Sequence, residues 1–241
     1  MISLRNTTFY YEKSNYILRD FSIDFPGGKI SVLLGPNGVG KTTILKLIAG
    51  ILKPKSGEIK IFGKEPLEMR GRIGYIPQNT GLYPWMRVRE NIELPLRILG
   101  LEKRARREIV ESIAERLGIS NLLEKYPREL SGGESQKVLV ARILATKNDI
   151  LLLDEPLSMI DVSTRRELIE LFKKLNRDLG STILMVTHDI EDALSIGDIV
   201  YVISGRPCRV LKVFENNTIE NRDNLYEEIK TIFLALQRRG V

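Results

Sequence analysis

An α/β fold, with a mainly parallel sheet flanked by helices, is predicted by three observations in this 241-residue chain. An apolar run, Ile30 to Leu34, leads into a glycine-rich loop and then a helical pattern. A second apolar run, Ile150 to Leu153, ends in the carboxylates of Asp154 and Glu155. After Asp149 the chain alternates between strand and helix patterns, as parallel strands joined by crossover helices require.

Residues 2 to 25 alternate in short strand-like runs and predict an N-terminal antiparallel β layer. The strand at 30 to 34 follows, then a helix near 41 to 50 and strands near 58 to 62 and 73 to 76. Helical periodicity fills 88 to 146, through Leu94, Leu96, Ile98 and Leu99, then Ile109, Ile113 and Leu117, then Val138, Val140, Ile143 and Leu144. That stretch predicts an inserted helical lobe. Beyond the run at 150 to 153 come a helical segment at 168 to 179, strands at 182 to 186 and 199 to 203, and a helix near 223 to 238. A single domain over 1–241 is expected, with a core from 1–84 and 147–241 and a lobe from 85–146.

The loop reads Gly35-Pro36-Asn37-Gly38-Val39-Gly40-Lys41-Thr42-Thr43. Placed between a strand and a helix, this spacing is that of a P-loop NTPase core. Glycines let successive backbone N–H groups curl into an anion nest, and the following helix adds the positive end of its dipole. Lys41 is then placed to reach the β- and γ-phosphates of a nucleotide, and the Thr42 hydroxyl to ligate Mg²⁺. Thr43 caps or packs. Asp154 and Glu155 stand where parallel sheets bind ligands, at the C-terminal edge. Asp154 is expected to hold Mg²⁺ through water, and Glu155 to polarise an attacking water or accept its proton. The plain alternative is that the pair caps the next helix.

A second phosphate-binding device lies in Leu130-Ser131-Gly132-Gly133-Glu134. Ser131 offers a hydroxyl, and the two glycines let backbone N–H groups approach an anion ahead of a helix starting near Ser135.

With these motifs in this order, the chain resembles the nucleotide-binding subunit of an ATP-binding cassette transporter over nearly its whole length. The resemblance also takes in Gln78 in Ile76-Pro77-Gln78, the run Ser158-Met159-Ile160-Asp161, and His188, the only histidine, in Thr187-His188-Asp189. By similarity these are the Q-loop, the D-loop and the switch histidine. The resemblance implies ATP and Mg²⁺ as ligands, with Gln78 on Mg²⁺ and His188 bonded to the γ-phosphate and the attacking water. It implies a head-to-tail homodimer in which Lys41, Asp154 and Glu155 of one copy meet Ser131, Gly132 and Gly133 of the other, with Asp161 beside the shared site. Tyr11 best matches the family's aromatic platform for adenine, with Tyr10 and Tyr16 as the other candidates. Two positions depart from the family pattern: Glu134, where glutamine is more usual, and the Met159-Ile160 of the D-loop.

Leu82-Tyr83-Pro84-Trp85-Met86 resembles a loop of importers for nitrate, sulfonates, taurine and thiamine-precursor pyrimidines. The resemblance implies integral membrane permease subunits docking near Gln78 to Trp85, and indirectly an external solute-binding protein. Trp85 is read as a docking residue rather than a core residue. The expected activity is ATP hydrolysis powering import of a small solute. An exporter ATPase, or a soluble cassette in a process such as iron-sulfur cluster assembly, are the other readings.

Composition narrows the setting. The net charge of +6 is modest, and the basic cluster Lys103, Arg104, Arg106 and Arg107 is interleaved with Glu102, Glu108 and Glu111. Mixed signs at this spacing suit an exposed helix, so no nucleic acid is expected. One cysteine, Cys208, rules out an internal disulfide framework. No apolar run approaches the 18 or so residues of a membrane span; if the chain serves a membrane, as the resemblance implies, a peripheral place on its cytoplasmic face is expected.

Overall fold

The computed structural model describes residues 1–13, 15–78, 81–146, 148–158, 160–216 and 222–238. Met159 of the D-loop lies outside the described residues, as does Lys147 at the expected lobe boundary.

The N-terminal layer opens with strands β1 (Ile2–Tyr10) and β2 (Tyr16–Phe25), which pair antiparallel with Leu4 opposite Ile23. The buried strand β3 (Ile30–Leu34) follows, then helix α1 (Lys41–Ile48), two residues shorter than expected. Strand β4 (Ser56–Ile61) returns to the first layer and pairs with β1, giving the order β2-β1-β4. The antiparallel layer therefore has a third strand from well beyond residue 25.

After β5 (Ile73–Ile76) come three helices, α2 (Val88–Ile98), α3 (Lys103–Arg116) and α4 (Gly132–Leu144). The chain then alternates through β6 (Ile150–Asp154), α5 (Val162–Leu179), β7 (Thr182–Thr187), α6 (Ile190–Ile196), β8 (Ile199–Ser204), β9 (Arg209–Glu215) and α7 (Arg222–Arg238). The main sheet runs β5-β6-β7-β3-β8-β9, with only β9 antiparallel to its neighbour.

Two helices begin earlier than the periodicity predicts, and both have a cap that explains it. At α5 the Asp161 carboxylate accepts from the N–H groups of Ser163 and Thr164, both at 3.0 Å. At α4 the Ser131 hydroxyl accepts from Glu134 N–H (3.2 Å), and the Glu134 carboxylate accepts from Ser131 N–H (2.8 Å). This reciprocal capping box starts the helix at Gly132 rather than near Ser135, despite two glycines in its first turn.

Central strands are buried on both faces, which is why they read as unbroken apolar runs. Side chains alternate across the sheet: Val32, Leu34, Leu151, Leu153, Ile183 and Met185 pack with α2 to α6, in one core that also takes in Val88 and Ile92 of α2 and Val138 of α4. Leu33, Ile150, Leu152, Leu184 and Val186 face α1 and the antiparallel layer.

Candidate functional site

The C-terminal ends of β3, β6 and β7 lie side by side, and each carries a chemically active turn. Leu34 is in register with Thr187, and Asp154 with Val186. Gly35 N–H extends the β3–β7 ladder onto Thr187 O at 3.3 Å. The phosphate loop, the Asp154-Glu155 pair and His188 therefore emerge along one edge, with Gln78 arriving from the neighbouring β5.

Gly40 caps α1 at φ +113°, and no side chain caps that helix. A Cβ there would come within 2.7 Å of Ile17 Cγ2, so glycine is required on two counts. The first-turn N–H groups of α1 are left facing the loop, an arrangement suited to an anion. Lys41, 5% exposed, donates to Gly35 O (2.7 Å) and Pro36 O (3.0 Å). Burial lowers the pKa of its ammonium, and Glu155 and Asp154 pull it back up.

Thr42 Oγ1 donates to Asp154 Oδ1 at 2.9 Å, and Tyr75 Oη to Asp154 Oδ2 at 3.2 Å. Asp154 is 1% exposed, and desolvation raises its pKa against the lowering effect of both bonds. A hydroxyl, a carboxylate and the nearby Gln78 amide are hard oxygen donors, few in number. They fit Mg²⁺ shared between protein and substrate phosphates rather than a closed protein cage. Among the described residues, no group of three or more His, Cys, Asp or Glu could hold a metal ion.

Glu155 is the hub. It takes a left-handed backbone at φ +50°, a strained conformation for a non-glycine residue, and its N–H donates to Val186 O at 3.0 Å. This turn brings its carboxylate across the loop. Oε2 accepts from Gln78 Nε2 at 3.1 Å, while Oε1 lies 3.3 Å from His188 Nδ1 and 3.9 Å from Lys41 Nζ. Two cavities meet at these residues. One of about 500 Å³ is walled by Tyr11, Asn37, Gly38, Lys41, Thr42 and Glu155 among others, and one of about 390 Å³ by Gln78, Glu155, Arg165 and His188 among others.

The family model described as ABC transporter matches residues 18–158. The chain belongs to the ABC transporter family. It is 44% identical over 203 residues to the molybdate/tungstate import ATP-binding protein WtpC of Thermococcus kodakarensis, covering 82% of this chain and 61% of that one. It is 38% identical over 195 residues to the taurine import ATP-binding protein TauB of Escherichia coli K12, covering 81% and 76%. The chain thus spans about three fifths of the first of these relatives. The cassette MJ0796 in its dimeric post-hydrolysis state, bound to ADP and Pi, superposes with a TM-score of 0.81 at 28% identity, covering 91% of this chain and all of the other.

Seen as an ABC cassette, the chain does not bring every expected site residue into one place. Tyr11 is 61% exposed, stands edge-on to Phe9 at 5.0 Å and lines the larger cavity. Pro36 and Val39 line an adjoining cleft with Ser204 to Arg206, and Thr43 reaches the larger cavity though mostly buried. Ser131, Gly132 and Gly133 line neither cavity around Glu155. Gly133 lies against α5 instead: a Cβ on it would stand 3.1 Å from Thr164 Cγ2, and Thr164 Oγ1 donates to Asp161 Oδ2 at 2.7 Å. Backbone and hydroxyl bonds from Thr164 hold the Asp161 carboxyl below its usual range. Thr164 thus links the start of α4 at Gly133 to the Asp161 cap of α5.

Trp85 is 69% exposed, so it is not a core residue. Its loop is clamped by the fully buried Asn91, which accepts from Tyr83 N–H (2.8 Å) and donates to the carbonyls of Tyr83, Met86 and Arg87. Arg142 of α4 donates to Gly81 O at 2.6 Å, tying the signature helix to the segment after Gln78. Sequence reasoning missed Tyr75, Arg165 and Arg206. Tyr75 had no local signal, because its role depends on β5 lying beside β6. Arg165 is 3.3 Å from Asp192 and 3.7 Å from Asp189, next to His188.

Proposed function

We propose that this chain is the ATP-hydrolysing subunit of an importer for a small solute, closing as a homodimer on ATP and reopening after hydrolysis. The observation that carries it is the meeting of Lys41, Thr42, Asp154, Gln78, Glu155 and His188 at one sheet edge, 2.7 to 3.9 Å from their partners. The relatives named for molybdate/tungstate and taurine import support the direction of transport.

Hydrolysis by water needs positioning and charge stabilisation rather than a covalent intermediate. Lys41, released from Gly35 O and Pro36 O, pairs with the β- and γ-phosphates. Thr42, Asp154 and Gln78 would hold Mg²⁺, which when bound would supply further neutralisation of phosphate charge. Glu155 aligns the attacking water and takes its proton. Gln78 and His188 sense the γ-phosphate through the two Glu155 oxygens they already engage. Tyr11 stacks on the adenine, worth about 1 kcal/mol. Ser131, Gly132 and Gly133 of the second copy complete the site from across the dimer, with Asp161 aligning that face.

In this reading residues 85–146 move as a lobe against the core formed by 1–84 and 147–241. The Arg142 bond to Gly81 carries the motion to Trp85, where permease subunits dock on the cytoplasmic face of the membrane. No helix among the described residues is long and apolar enough to cross a membrane. An external binding protein delivers the solute to the permease.

The test is phosphate release from Mg-ATP by the purified chain, alone and with co-expressed permease subunits. Wild type should turn over, and Glu155→Gln should fall by about 10²-fold or more while still binding ATP. Equal rates for the two proteins would overturn the assignment.

A further inference from the structure

The phosphate loop is gripped by two cations, and only Lys41 belongs to its motif. Arg206, in the turn between β8 and β9, donates from Nε to Gly38 O at 3.2 Å. It lines both the larger cavity and the adjoining cleft. The fold sets this turn firmly. Strand β8 lies beside β3, so the turn after Ser204 rises next to the loop after Leu34. On its far side Cys208 N–H donates to Ile17 O at 2.8 Å, and Cys208 is buried. The turn therefore bridges the phosphate loop and the β2 wall, and Ile17 and Tyr11 stand in the same cavity lining.

We propose that Arg206 is a further nucleotide-contacting residue, its guanidinium meeting the phosphates of a nucleoside di- or triphosphate in this cavity. This rests on the reading of the cavity as the nucleotide site. One of five guanidinium N–H donors is used on Gly38 O, and the Nη groups carry no further hydrogen bond among the described residues. Nη2 lies 3.8 Å from where a Cβ on Gly38 would stand, over the tip of the loop. A planar fork at that point matches phosphate oxygens better than a carbonyl alone. By holding Gly38 O, Arg206 also keeps the neighbouring loop N–H groups turned toward the same anion.

The experiment titrates the full chain with ATP, ADP and AMP in EDTA, so that nothing is hydrolysed, for wild type, Arg206→Ala and Arg206→Lys. Arg206→Ala should weaken ATP and ADP by about tenfold or more and AMP by less than about twofold. Arg206→Lys, which keeps the charge but loses the planar fork, should recover only part of the loss, again for ATP and ADP rather than AMP. Equal weakening of all three nucleotides together with a lower melting temperature would make Arg206 a prop for Gly38 and overturn the proposal. So would unchanged affinities with loss of ATP-driven dimerisation, which would assign Arg206 to the second copy. A wild-type chain that binds none of the three overturns the cavity reading first, and that result is seen before any variant is made.

Discussion

Gly35→Ala should misplace the phosphate loop without touching any group that binds phosphate. A Cβ on Gly35 would sit 2.5 Å from Ile203 O and 3.0 Å from Ile203 Cγ1. The nearer atom is backbone in the strand beside β3, so no rotamer change relieves it. Restoring ordinary contact requires the ends of β3 and β8 to part by roughly 0.9 Å. Overpacking of this kind costs about 1–3 kcal/mol, and the lower unfolded-state entropy of alanine returns about 0.4–1 kcal/mol. A net loss near 1–2 kcal/mol lowers the melting temperature of a chain this size by about 2–8 °C. The same shift moves the loop relative to Glu155, where a displacement near 1 Å costs on the order of 10²-fold in kcat/KM. Gly63→Ala is the control, since Gly63 has φ +80° and nothing within 4 Å of the added Cβ. Left-handed strain there costs about 1 kcal/mol, so stability falls comparably and hydrolysis does not. Thermal melts and steady-state hydrolysis of both variants decide the matter. A Gly35→Ala protein with wild-type melting and kcat/KM would refute the steric argument.

Other outcomes follow from single contacts. Ser131→Ala removes the hydroxyl of the α4 capping box and should cost about 1 kcal/mol in urea unfolding, with a further loss of hydrolysis in the closed dimer. Burial pushes the Cys208 thiol up to about 12, so it should resist a thiol reagent at pH 8 until the chain is unfolded. Asp192, buried and beside Asp189 and Glu191 but paired with Arg165 and near His188, is raised from 3.8 to about 6. The native state then holds this proton more tightly than the unfolded chain. Its contribution is complete below pH 4 and is lost as pH rises through 6, at most about 3 kcal/mol and less once solvent screening is counted. Asp192→Asn should flatten the urea midpoint across that window, and an unchanged profile would show that Asp192 does not titrate there.

Much of the site was legible because its motifs are local: Gly35 to Thr43, Asp154-Glu155 and His188 each end a run of buried apolar residues. What escaped depends on distant pairing. Tyr75 bonds Asp154 across 79 residues, and Arg206 reaches Gly38 across 168. Strand β9 was missed because it is an edge strand with only Phe214 buried, so its polar Arg209, Lys212 and Glu215 hide any alternation. Helix α6 is seven residues long, too short for a periodicity signal, although Asp189 caps it by accepting from Asp192 N–H. The early start of α4 was readable in Ser131-x-x-Glu134, where a capping box outweighs two glycines.

The central claim, that two copies share each ATP, is tested most directly by the mass in solution of the Glu155→Gln chain, measured by light scattering on a sizing column. With Mg-ATP the mass should double, and it should return to that of one chain when ATP is omitted or Ser131 is also replaced. A protein that binds ATP and keeps the mass of a single chain would contradict the composite site.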